Sequence, residues 1–98
     1  MAMWIGWMEF DLLLGDVHSL KQKRAVIRPI LADLRRLEVS AAEVGDQDLH
    51  RRARLGVAVT AGDAEHVGRV LDSAERLVAE RPETDVLSAR RGLARSDD

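Results

Sequence analysis

Lys21, Arg24, Arg28 and Arg35 fall within about 60° of one another once the segment after Ser19 is wound as a helix. A stripe of ammonium and guanidinium groups holds phosphate or another anion through charge and charge-assisted hydrogen bonds. His18 and Ser19 stand just before the stripe, where free backbone amides and the positive end of the helix dipole add to the same attraction. Two readings of these six residues stay open: an anion or RNA contact, or a capped helix start followed by a solvated basic face in which His18 is a turn residue.

Three other groups could do chemistry. Glu9 and Asp11 form a carboxylate pair of the kind used in general acid and base work, but Arg52 and Arg54 alternate on a later strand and offer cross-strand ion pairs instead. The run Asp46-Gln47-Asp48-Leu49-His50 carries oxygen and nitrogen donors, yet it has no second histidine at ligand spacing and the chain has no cysteine. It reads as a turn, and no metal or cofactor is expected. Ile5 and Trp7 share a face with Glu9 and Asp11, and Trp7 suits either stacking on a single-stranded base or burial against a second copy of the chain. No serine, histidine or aspartate sits in an activating context such as a nucleophile elbow, so no catalytic residue is assigned.

These groups must be positioned by six elements. From Trp4 to Leu14 the even positions are Trp4, Gly6, Met8, Phe10, Leu12 and Leu14, with Glu9 and Asp11 between them, which is the period of a half-buried strand. Gly15-Asp16 breaks it. Ser19-Leu20-Lys21-Gln22 has the form of a capping box, so a helix begins at Leu20. Leu20, Ile27, Ile30, Leu31, Leu34 and Leu37 line one side of that helix, and Pro29 within it predicts a kink near Ala25 to Arg28.

Val39 to Val44 reads as a short strand, followed by the turn Gly45 to Asp48. A second period of two places Ala53, Leu55, Val57, Val59 and Ala61 opposite Arg52, Arg54, Gly56, Ala58 and Thr60. Gly62-Asp63 stops the strand and caps a second helix carrying Val67, Val70, Leu71, Ala74, Leu77 and Val78, which Pro82 ends. Asp85 to Arg91 is the last strand. Residues 1–92 are expected to form one domain and residues 93–98 a flexible polar tail.

The order βαββαβ predicts an α+β, ferredoxin-like domain: a four-stranded antiparallel sheet with two helices on one face and the other face open. Ile5, Trp7, Glu9, Asp11, Arg52, Arg54 and Glu43 are expected on the open face. With 46% hydrophobic and 33% charged residues, the 98-residue chain has the balance of a folded domain rather than a disordered one. Its net charge of −2 gives no global attraction to nucleic acid, so such binding would have to be local. The apolar start lacks a basic leader and contains Glu9 and Asp11, no span is long enough to cross a membrane, and cysteine is absent, so a cytoplasmic protein is expected.

The strings His-Ser-Leu-Lys-Gln-Lys-Arg at 18–24 and Ala-Glu-Val-Gly-Asp-Gln-Asp-Leu at 42–49 resemble the two motifs of the YlxP-like bacterial family of unknown function, and the similarity covers nearly the whole chain. The resemblance implies a ferredoxin-like fold and a gene neighbourhood of translation initiation and ribosome maturation factors. It implies no catalytic residues. Acylphosphatases share this topology but use an arginine in the loop after the first strand, and Gly15 to Ser19 contains none. The expectation is a non-enzymatic, homodimeric binding protein associated with RNA or the ribosome. The alternative is a dimeric small-molecule or anion-binding regulatory module.

Overall fold

The computed structural model describes residues 1–98. Its elements follow in the order β1 (Trp4–Leu14), α1 (Leu20–Arg35), β2 (Ser40–Gly45), β3 (Arg52–Ala61), α2 (Ala64–Ala79) and β4 (Thr84–Arg95). The strands form one sheet in the order β2-β3-β1-β4, with antiparallel pairing throughout. This is the ferredoxin-like α+β arrangement that the alternation of elements predicts.

The even residues of β1 and the odd residues of β3 face the helices. Met8, Phe10, Leu12 and Leu14 pack there with Ala53, Leu55, Val57 and Val59, under Ile27, Ile30, Leu31 and Leu34 of α1 and Val67, Leu71, Ala74 and Val78 of α2. Phe10, Leu12 and Leu14 are fully buried. Each such side chain contributes about 1.5–3 kcal/mol on burial. Gly6 is part of this fit: a Cβ there would overlap Val67 Cγ1 and lie 3.2 Å from Leu71 Cδ1. The glycine lets α2 approach β1 closely.

Two local expectations change. The Ser19 hydroxyl accepts the Gln22 amide at 3.1 Å, as a capping box requires, but the Gln22 side chain reaches the amide of His18 at 2.6 Å rather than that of Ser19. α1 spans Leu20–Arg35 as one helix, with Pro29 inside it on the exposed side. The expected polar tail is strand: Leu93, Ala94 and Arg95 pair with Gly6, Ile5 and Trp4, and the Ser96 amide donates to Met3 O at 2.8 Å. The Arg95 guanidinium also stacks over the Trp4 ring, 5.3 Å from its centroid. Polar residues here continue the sheet because β4 is an edge strand, solvated on much of both faces.

Candidate functional site

The sheet's open face and the outer side of α1 carry most of the residues that sequence reasoning selects. Lys21, Arg24 and Arg28 are all exposed and come together on α1. With Ala25 and Pro29 they surround an open depression of about 420 Å³. The first turn of α1 contains no acidic residue, and none of the three cations forms an ion pair or a hydrogen bond.

That isolation is unusual in this chain. Of its fifteen lysines and arginines, eight form ion pairs: Lys23, Arg36, Arg52, Arg69, Arg81, Arg90, Arg91 and Arg95. Three more, Arg35, Arg51 and Arg76, donate to backbone carbonyls or a serine hydroxyl. Four reach no polar group: Lys21, Arg24, Arg28 and Arg54.

Arg35 therefore leaves the predicted stripe. Its wheel angle is right, but its Nη2 donates to Ala41 O at 2.8 Å and ties α1 to β2. Ser19 and His18 are also occupied locally. The Ser19 hydroxyl holds the Gln22 amide, and His18 Nε2 lies 2.6 Å from Asp16 Oδ1.

The open face divides along the strands. At one end stand Glu9, Asp11, Arg52, Arg54 and Arg90. The expected cross-strand pairing is half met: Asp11 pairs with Arg52 at 2.7 Å, whereas Glu9 pairs with Arg90 of β4 at 2.9 Å, leaving Arg54 free. The hydrogen bond from Arg52 to Asp11, together with that carboxylate's charge, raises the Arg52 pKa above its ordinary value. Arg91, on the helix side, is also raised: burial opposes its charge, and hydrogen bonds to Glu75 and Asp72 more than offset that. Both arginines stay charged across the range in which the protein is handled.

At the other end the face is apolar. Ala42, Val44, Gly56 and Ala58 form a trough of about 270 Å³ with Trp7 as its opposite wall. The Trp7 indole leans the other way, over Gly92 of β4, where a Cβ would overlap ring atoms Nε1 and Cε2. Trp7 is 40% exposed and Val44 52%, and Ile5, half-buried, lies beside them on β1.

Glu43 is corrected to the helix side. It is the register partner of Leu55, which faces the core, and its Oε2 lies 2.7 Å from Nζ of Lys23. Lys23 is only 2% exposed and also donates to Asp46 O at 2.6 Å. Asp46 has a positive φ of 61°, so the buried ammonium fixes the strained start of the β2–β3 turn. Sequence reading missed Lys23 because a lysine counts as exposed. Its spacing to Ile27 and Ile30, four and seven residues on, was the available signal. In that turn Asp48 and His50 are exposed, and nowhere in the chain do three His, Cys, Asp or Glu side chains gather in a group able to hold a metal ion. No helix is long and apolar enough to cross a membrane.

Comparison with known proteins yields a family match, a sequence relative and fold matches among solved structures. A family described as "Protein of unknown function (DUF503)" matches residues 5–91. The uncharacterized protein YlxP of Bacillus subtilis (strain 168) is 30% identical over 82 residues, which cover 83% of this chain and 89% of that protein. Among solved structures, the de novo designed protein Foldit4 aligns with a TM-score of 0.52 at 15% identity, over 92% of this chain and 96% of that one. A hydantoinase/carbamoylase family amidase from Burkholderia ambifaria aligns with a TM-score of 0.52 at 10% identity, over 95% of this chain and 27% of that one. At these identities the structural matches speak to the fold alone.

Proposed function

We propose that the chain, which belongs to the DUF503 family of proteins of unknown function, is a cytoplasmic, non-enzymatic protein that binds RNA of the translation apparatus through the outer side of α1. The observation that carries this reading is the set of three exposed cations, Lys21, Arg24 and Arg28, around one depression with no carboxylate among them. Most other cations in the chain are neutralised by an acid or engaged with a carbonyl. These three offer their whole charge and hydrogen-bonding capacity to a ligand.

A phosphodiester backbone suits the arrangement. Arg24 and Arg28 are one helical turn apart, as are Lys21 and Arg24, so successive phosphates along a strand meet successive cations. Ordinary phosphate contact needs no particular base, which fits the absence of an aromatic platform on this helix. The gene neighbourhood implied by the resemblance to the YlxP-like family favours ribosomal RNA over other polyanions.

The test is binding to a single-stranded ribosomal RNA fragment, and to ribosomal subunits by cosedimentation, at several salt concentrations. Three phosphate contacts predict that log K falls against log salt with a slope of about −2, at roughly 0.7 per neutralised phosphate. Charge reversal by Lys21→Glu, Arg24→Glu and Arg28→Glu together abolishes binding. If binding persists in this variant, or the wild-type protein sediments apart from both ligands at low salt, the reading fails.

A further inference from the structure

We infer that two copies of this chain pair through their open sheet faces, about a two-fold axis that runs along the strands between β3 and β1. Three independent features of the face converge on this arrangement.

The first is the position of the midline. With the strand order β2-β3-β1-β4, an axis between β3 and β1 bisects the sheet, so rotation lays β1 of one copy over β3 of its partner and β4 over β2. Every strand meets a strand of the partner, and the short β2 covers the middle of β4, at the height of Ser88 to Gly92. Four strands spaced about 4.8 Å apart and up to about 37 Å long give a face on the order of 600 Å² before side-chain relief is added. That approaches the roughly 800 Å² per partner of a stable protein interface, and stacked sheets with this alignment are a common packing.

The second feature is shape. Trp7 on β1 leans toward β4 over Gly92, and the Ala42–Val44–Gly56–Ala58 trough occupies β2 and β3. A projecting indole and a trough thus lie on opposite sides of the midline, at the same height, because Trp7 and Ala58 are register partners. Under the two-fold each indole enters the partner's trough, as an isologous contact requires.

The third is charge. The acids of the face, Glu9 and Asp11, stand on β1, while Arg52 and Arg54 stand on β3. Laying β1 over the partner's β3 brings Asp11 to the height of the partner copy's arginines, since Asp11 and Arg54 are register partners. Arg54, the only cation of the face without a partner inside its own chain, gains one across the interface. Both helices then point away from the contact, leaving Lys21, Arg24 and Arg28 free. The inference therefore stands or falls separately from RNA binding.

Sedimentation velocity and equilibrium decide it. Wild type is expected at twice the 10.9 kDa chain mass. Ala58→Glu, at an exposed position in the trough, raises the dimer dissociation constant about a hundredfold or more, the effect of a charge forced into an interface centre. Reciprocity supplies the second arm, should Ala58→Glu fail to fold. Arg54→Glu alone and Asp11→Arg alone each yield monomers, and mixing the two variants restores a dimer, because each mixed contact pairs opposite charges. A wild-type protein that stays monomeric at its highest soluble concentration overturns the proposal. So does an Ala58→Glu protein that dimerises as well as wild type, which would place the contact at a β2 or β4 edge, and so does failure of the mixed variants to associate.

Discussion

Lys21 and Lys23 stand two residues apart on the same helix and behave as opposites. Lys23 turns inward, is buried, and holds both Glu43 Oε2 and Asp46 O. Lys21 turns outward with Arg24 and Arg28 and holds nothing. On the inner side a charge taken from water needs an opposite charge beside it, because a buried charge without one is costly. On the outer side water satisfies the cations, so nothing in folding requires a partner, and an acid there would only weaken the hold on an anion. The contrast separates a cation used to build the fold from cations left available to a ligand.

The largest expected effect breaks the inner side. Lys23→Met leaves the shielded Oε2 of half-buried Glu43 without its counterion and removes one of the two hydrogen bonds to Asp46 O, and urea denaturation should register a loss of about 2–3 kcal/mol. The double variant Lys23→Met with Glu43→Leu removes both charges and returns to within about 1 kcal/mol of wild type or above it. Asp46 O also accepts the Leu49 amide, at 3.0 Å in the wild-type chain, so loss of the ammonium does not leave that carbonyl without a partner. If the single variant were as stable as wild type, Lys23 would be one more outer cation and the contrast would disappear.

How far the sequence discloses each side follows from the same physics. The period of two in β1 and β3 and the apolar stripes of α1 and α2 are set by burial against one core, so hydropathy alone finds them and places the ferredoxin-like sheet. Lys21, Arg24 and Arg28 are legible as a stripe because wheel angle decides exposure on a helix. Lys23 escapes because hydropathy assigns lysine to water whatever its angle. Glu43 escapes because Ser40, Ala41 and Ala42 are too small to mark which face of β2 is inside. The continuation of β4 past Arg91, and with it the register that sets Gly92 against Trp7, is hidden by an edge strand's solvated faces. The trough of Ala42, Gly56 and Ala58 exists only once β2 and β3 are in register, which no local pattern encodes.

Arg35 sharpens the comparison, since its wheel angle belongs to the outer group and its hydrogen bond to Ala41 O belongs to the inner one. Arg35→Gln should lower stability by about 1 kcal/mol, the worth of one partly exposed hydrogen bond between α1 and β2. It should leave the salt dependence of RNA binding unchanged. A reduced salt slope in this variant would return Arg35 to the group proposed to bind phosphate.

The smallest expected effect on stability is the most telling. In the triple variant Lys21→Glu, Arg24→Glu and Arg28→Glu no ion pair or hydrogen bond is lost, and exposed substitutions of this kind stay within about 0.5 kcal/mol each way. Glutamate at position 21 lies in the first turn of α1, where the helix dipole favours an acid by about 0.3–1 kcal/mol and offsets part of the repulsion among the new charges. The urea midpoint and slope should therefore match those of wild type while RNA binding is lost. A drop of more than about 2 kcal/mol would mean that these cations hold the fold together after all, since losses of that size come from buried or partnered groups. An unchanged midpoint with lost binding would assign their charge to a ligand, because no contact within the chain uses it.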